Sequence, residues 1–117
     1  IINMRQNYEN GELHGESIIY HKDSEIDSVS NYKNGTKEGY YTAYHKNGNL
    51  RTKVNYINDI KEGLCIHYYN NGDLDRKGYY INGKLNGEVT SFFPSNIFEG
   101  IFIYSKGVCV GTWRLKK

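Results

Sequence analysis

Four histidines and two cysteines are the side chains best suited to hold a metal or attack a substrate. His21 and His45 stand 24 residues apart at the same position of a repeat, hence two strands and ~9.6 Å apart at ~4.8 Å per strand. One zinc ion cannot span that gap, because its bonds to nitrogen are about 2 Å long. His14, His21, His45 and His67 therefore read as structural or surface residues. Cys65 and Cys109 occupy different repeat positions nearly two repeats apart, which places them ~19 Å from each other. A disulfide needs Cα atoms within about 7 Å, so two free thiols are expected, as in a reducing, cytoplasmic setting. No histidine shares a motif with either cysteine, and neither reads as a nucleophile. Glycine clusters here precede strands rather than a helix, which removes a phosphate loop. No catalytic, metal-binding or cofactor-binding residue follows, and the expected class is binding rather than catalysis.

Aromatic residues carry the remaining chemistry, and they recur with a fixed period of 24 residues. One column is Tyr8, Tyr32, Tyr56, Tyr80 and Tyr104; a second is Tyr20, Tyr44, Tyr68 and Phe92. Glycine follows the first column at Gly15, Gly39, Gly63, Gly87 and Gly111. Another glycine column runs Gly11, Gly35, Gly83 and Gly107, broken only by Asp59, and an aliphatic or aromatic column runs Ile26, Leu50, Leu74 and Phe98. Counting Gly48 and Gly72, eleven of the 13 glycines fall on repeat positions. A fixed period of this length is the signature of a repeat architecture.

Each period holds two strands and two turns. Asn47-Gly48 is a strong hairpin signal, since a two-residue type I′ loop needs positive φ at both central residues. Ser24 and Asn96 occupy the Gly48 slot without glycine, so their turns are expected to be longer or of another type. Links such as Asn34-Gly35-Thr36-Lys37-Glu38-Gly39 read as looser, with Glu38 and Glu62 solvated. Helix is disfavoured because a glycine or asparagine cluster arrives about every dozen residues. The expected fold is all-β: one elongated antiparallel meander of stacked hairpins, with about five repeats and nine or ten strands. A half repeat spans residues 1–7, and repeats begin at Tyr8, Tyr32, Tyr56, Tyr80 and Tyr104, the last incomplete.

A two-residue loop at Asn47-Gly48 would set Gly39 opposite Tyr56, letting each ring lie over a bare glycine. Parity then sorts the faces. One carries Tyr41, Ala43, His45, Leu50, Thr52, Val54 and Tyr56, with Phe98 and Phe102 in the last full repeat. The other carries Asp27, Arg51, Lys53, Asp75, Lys77 and Glu99 around the second aromatic column. An apolar-aromatic face must be buried on something, so the sheet either curls into a trough or docks on another chain. Exposed tyrosines bury area at low entropic cost. Tyr20, Tyr44 and Tyr68 are therefore the first candidates for partner contact, with Tyr41 and His45 second.

Composition narrows the partner. The chain has 117 residues, enough for one domain, and 15% of them are aromatic, unlike a disordered chain. A net charge of +2 gives little attraction to nucleic acid or an anionic membrane. No apolar run approaches the ~18 residues of a membrane span, and Lys116-Lys117 is too short for a polybasic anchor.

The pattern Tyr-x-Asn-Gly-x-x-x-Gly-x-x-x-x-Tyr-x-x-Asn-Gly, clearest from Tyr32 to Gly48 and again from Tyr56 to Gly72, resembles MORN repeats, particularly the bacterial MORN-variant form. That resemblance implies stacked β-hairpins in an elongated, twisted sheet that binds proteins or lipids. Small bacterial members are often labelled antitoxins or immunity proteins, which implies a protein partner, such as a toxin encoded nearby, occluded by the sheet. The alternative it implies is a membrane-surface or scaffold adaptor. Ile2 aligns with Ile26, Leu50 and Leu74, and Trp113-Arg114-Leu115 closes the chain half-way through a repeat. A segment of a longer array is thus a further reading, and Ile1 in place of methionine leaves room for an upstream segment.

Overall fold

The computed structural model describes residues 4–114. They form β1 (Met4–Glu9), β2 (Glu12–Tyr20), β3 (Ile26–Lys33), β4 (Thr36–Lys37), β5 (Gly39–Tyr44), β6 (Leu50–Ile57), β7 (Ile60–Tyr68), β8 (Leu74–Ile81), β9 (Lys84–Leu85), β10 (Gly87–Phe93), β11 (Ile97–Ser105) and β12 (Val108–Trp113). All belong to one open antiparallel sheet whose ten-strand path follows chain order. The two-residue strands β4 and β9 pair beside that path with β3 and β8. No described residue is helical, and no helix is long and apolar enough to cross a membrane. The expectations placed on Ile2, Leu115 and Lys116-Lys117 lie outside the described residues.

The two kinds of turn exchange the roles read from the sequence. The links between repeats are the tight ones. Lys33 pairs with Thr36, Ile57 with Ile60 and Ile81 with Lys84, leaving two loop residues that both have positive φ: Asn34 and Gly35, Asn58 and Asp59, Asn82 and Gly83. These are type I′ hairpins. The Asn47-Gly48 loop instead has three residues. His45 N–H donates to Asn49 O at 2.8 Å, Gly48 N–H donates to His45 O at 2.9 Å, and only Gly48 takes positive φ, 89°. Asn47 serves as an Asx residue, its Oδ1 accepting the Asn49 amide at 2.9 Å. Gly72 closes an equivalent loop after Tyr69. Ser24 makes the same turn in left-handed backbone, φ 74°, contrary to the expected change of type. Asn96 does differ: Ser95 and Asn96 are both left-handed in a loop of the same length.

A β-bulge follows each three-residue loop and restores the expected register. Tyr44 pairs with Leu50 and Ala43 with Thr52, so Arg51 is skipped, and Gly39 arrives opposite Tyr56. Asp27, Asp75 and Glu99 are skipped likewise. The bulge corrects the sorting of faces. Leu50 and Phe98 join Tyr44 and Phe92, with the Phe92 and Phe98 rings 5.8 Å apart edge to face. Glu99 turns to the other side, where its Oε1 accepts Ser91 Oγ–H at 2.9 Å, and Arg51 and Asp75 border a hollow shared with Thr52 and Arg76.

Gly15, Gly39, Gly63 and Gly87 do pair with Tyr32, Tyr56, Tyr80 and Tyr104. Ring contact is not why they are glycine. A Cβ at Gly15, Gly63 or Gly87 would meet nothing within 4 Å, but all four residues have φ between 88° and 103°. That left-handed conformation strains L side chains. At Gly111 the left-handed conformation lapses: its φ is not positive.

The buried residues are small. Ser17, Ser28, Ala43, Thr52, Val54, Cys65 and Val89 share one face by register, and among the described residues only Ile18 is buried on the other. Among the described residues no large side chain is fully buried, so no second layer covers their sheet. Hollows lie over this face, and together they form a trough whose floor is this line of small residues. The extensive contacts are all between strands adjacent in the sheet, so cohesion comes from repeat-to-repeat interfaces. The Cα extents are 56 × 32 × 14 Å and the radius of gyration is 16.5 Å, against roughly 13 Å for a compact domain of this length.

Candidate functional site

The trough is walled on one side by the first tyrosine column. Lys37 Nζ stands 5.4 Å from the Tyr41 ring and 5.0 Å from the Tyr56 ring. One repeat on, Lys61 Nζ stands 5.1 Å from the Tyr80 ring. Such ammonium–ring contacts are electrostatic attractions to the π face. The sequence places Lys37 and Lys61 among the turn residues of the links, where charge is expected to act on association rate more than on affinity. The strand that follows each type I′ turn aims them into the trough instead. Their neighbours Glu38 and Glu62 are not simply solvated. Their Oε2 atoms accept the amides of Asn58 and Asn82, each at 2.8 Å, binding each turn to the next.

The opposite wall is built by the residues that open the three-residue loops. His45 Nε2 lies 2.9 Å from Tyr68 O, and because a carbonyl only accepts, that nitrogen carries the proton. In the next repeat Tyr69 O–H donates to Phe92 O at 2.6 Å. Desolvation, then the nearby Asp75 charge, raises the Tyr69 phenol above its ordinary value, which keeps it a donor. His21, the first of the column, has no hydrogen-bond partner at Nε2 and sits 3.7 Å from Asp27 Oδ1.

Between the walls, Cys65 Sγ lies 3.6 Å from His67 Nε2, and His67 Nδ1 lies 3.0 Å from Thr52 Oγ1. A cysteine–histidine neighbourhood therefore exists, in Cys65-Ile66-His67, where the two-residue strand period puts both side chains on one face. Burial pushes the Cys65 thiol up, outweighing Lys61 and Arg76. Burial also pushes the His67 imidazole down, with Arg76 adding to it. Both groups are thus held neutral, the reverse of the thiolate–imidazolium pair that makes a nucleophile. Both cysteines are free, Cys65 buried and Cys109 exposed. Among the described residues no three His, Cys, Asp or Glu side chains gather as a metal site would need.

Beside the Cys65–His67 pair, the trough deepens into a hollow of about 410 Å³ lined by Arg76, Gly78, Tyr80, Leu85 and Phe102 among others. Gly78 and Gly100, outside the repeat columns, are tailored to the packing here. A Cβ would come within 2.8 Å of Val89 Cγ2 at Gly78 and of Trp113 O at Gly100.

Tyr41 and His45 thus sit in the trough and its wall. Tyr20, Tyr44 and Tyr68 are half-buried and pair with Ile26, Leu50 and Leu74. The face away from the trough is less polar than expected: Tyr40, Ile57, Ile60, Tyr79 and Ile81 are each about half exposed. The links between repeats conceal Ile57, Ile60 and Ile81 in sequence, because a link taken as a loose loop gives its residues no face.

Successive type I′ turns stack in the same 24-residue step, Asp59 N–H to Lys37 O at 3.0 Å and Gly83 N–H to Lys61 O at 3.0 Å. The signature of the MORN repeat variant matches in that step, at residues 13–34, 37–58 and 61–82. The chain belongs to the MORN repeat variant family. Each matched unit begins on the residue that faces the trough beside the turn and ends on the first residue of the next type I′ turn. MORN repeats are binding modules for proteins or lipids and are not typically enzymes. No curated protein matches the chain.

Proposed function

We propose that this chain is a non-catalytic protein-binding module of the antitoxin or immunity type, which occludes a partner, such as a toxin encoded nearby, by taking part of it into the trough. The observation that carries the binding reading is the trough: a floor of small buried residues between two walls whose rings are fixed by cation–π contacts and by hydrogen bonds to the next repeat. Walls set in advance of binding lower the ordering cost of an interface. A flat membrane surface meets the rims of such a trough first, whereas a protein segment can reach its floor. The antitoxin or immunity role follows the label that small bacterial members of the family carry, and free thiols accord with a cytoplasmic setting.

Co-expression with the product of the adjacent gene tests this reading. The expected result is a stable complex and relief of any growth defect that product causes, both lost on substituting trough residues such as Tyr80→Ala. The second column, Tyr20, Tyr44 and Tyr68, is the competing surface. Loss of the complex on Tyr44→Ala, with Tyr80→Ala silent and both variants folded, would move the site to the other face.

A further inference from the structure

The spacing and charge of the trough wall specify what kind of segment fits it. Resting on the protein-binding reading above, we propose that the trough takes an extended polyproline-II segment carrying carboxylates three residues apart, flanked at the same interval by apolar side chains.

The repeat position that Lys37 occupies is filled in turn by Leu13, Lys37, Lys61, Leu85 and Cys109. Lys37 and Lys61 are fixed over the Tyr56 and Tyr80 rings, and Leu85 reaches the floor, its Cδ2 3.5 Å from where a Gly78 Cβ would stand. The wall therefore reads apolar, cation, cation, apolar over its first four units, with a thiol at the fifth. Among the described residues, neither lysine nor Arg76 lies within ion-pair distance of a carboxylate; the pairs that do form are His14–Glu9, His21–Asp27 and Arg51–Asp27. Of the carboxylates that border the trough, Glu99 is held by Ser91 and Asp75 lies in the adjoining hollow beside Arg76. Three cations are left to meet charge from outside.

Geometry selects the backbone. Successive positions of the column are two strands, ~9.6 Å, apart. A β-extended ligand repeats its side chains on one face every ~6.6–6.8 Å and falls out of step. A polyproline-II helix has three residues per turn at 3.1 Å each, so every third side chain returns to the same face after ~9.3 Å. The tyrosine rungs repeat at that same interval, and aromatic-lined grooves suit polyproline-II chains because these arrive already extended.

Fluorescence anisotropy with three labelled peptides tests the proposal. The first is Leu-Pro-Pro-Glu-Pro-Pro-Glu-Pro-Pro-Leu; the second has the same composition with the two Glu residues separated by one Pro; the third has Lys for Glu. The first is expected to bind at least about fivefold more tightly than the others, with affinity falling as salt rises. Lys61→Gln should weaken it about fivefold at unchanged melting temperature, and Lys61→Arg should restore it. Equal affinity for the first two peptides, or no binding of the first at millimolar protein, overturns the proposal. So does binding to phosphatidylserine vesicles that Lys61→Gln abolishes while the peptide is ignored, which would assign the cations to lipid. If the spaced peptide fails while Tyr80→Ala still abolishes the complex with the adjacent gene product, the protein-binding reading survives and the acidic-segment proposal alone falls.

Discussion

The Glu38 carboxylate accepts the Asn58 amide at 2.8 Å, across 20 residues of chain. Glu62 does the same for Asn82, and Asn86 Oδ1 accepts the Lys106 amide at 3.3 Å, so one position of the repeat links each inter-repeat turn to the next. Glu38→Ala and Glu62→Ala should each destabilise the protein by about 0.5–1.5 kcal/mol, measured as a lowered urea midpoint at unchanged slope. Glu38→Gln, which keeps an acceptor oxygen, should lose less than the alanine variant. If Glu38→Ala leaves the midpoint in place, the contact carries no net energy.

Asp59 stands where the other described links carry glycine, with φ 67°, and substitution by glycine looks favourable from backbone alone. Its side chain offsets that strain: Oδ1 accepts the Lys37 amide at 2.7 Å. Asp59→Gly should therefore be neutral within about 0.5 kcal/mol or mildly destabilising, because the relieved strain and the lost hydrogen bond are of similar size. Stabilisation beyond about 1 kcal/mol would show that the hydrogen bond contributes nothing.

The meander, the pairing of Gly39 with Tyr56 and the separation of the two thiols are legible in the sequence because the 24-residue period constrains every hairpin at once. The turns are less so. Asn-Gly at 47–48 and at 34–35 look alike, and only the flanking register tells an Asx residue before a left-handed glycine from a type I′ pair. An error of one loop residue is then cancelled by a bulge at Arg51, which leaves no trace in the period. This is why the strand register could be read while the faces of Leu50, Phe98, Glu99 and Asp75 could not. The trough walls were hidden for another reason. His45 and Tyr69 share a position but not a residue type, and what they have in common is reach to a carbonyl in the next repeat.

Thiol labelling separates the two cysteines. Cys109 is exposed and Cys65 is 5% exposed, with its pKa raised above 9.0 by burial. At pH 8 a maleimide should modify Cys109 rapidly and Cys65 only on unfolding, with one adduct dominating the intact mass. The raised pKa favours the neutral thiol in the folded state, so its contribution to stability is complete below about pH 9 and is lost as pH rises further. Equal labelling rates at the two sites would mean that the floor of the trough opens.

His67 titrates with the opposite sign. Burial, then Arg76, lowers its pKa below 6.5, so the unfolded chain binds the proton more readily than the folded one. Its contribution is complete above pH 6.5 and is lost as pH falls from 6.5 toward the folded-state value. Stability should decline between pH 7 and pH 5, and the decline should be shallower in His67→Gln. Carboxylates shared by both proteins cancel in that comparison. Identical pH slopes would place the imidazole in contact with solvent.

Gly78 tests whether the trough floor is a packed surface. Its φ is ordinary, yet a Cβ there would come within 2.8 Å of Val89 Cγ2 and 3.5 Å of Leu85 Cδ2. Leu85 can swing away, but Val89 is β-branched, stiff at χ1 and 9% exposed, so the clash must be relieved by moving the β8–β10 pair. Gly78→Ala should cost about 1–3 kcal/mol, the usual range for overpacking. Val89→Ala removes two methyl groups and should cost about 1–2 kcal/mol alone. Combined, the two should cost clearly less than their sum, because the smaller residue 89 vacates the space that the new Cβ needs. Additive costs would mean that the alanine at position 78 is resisted by backbone rather than by Val89. A silent Gly78→Ala would mean that the floor yields freely, and the hollow beside Cys65 would then be soft rather than shaped before its ligand arrives.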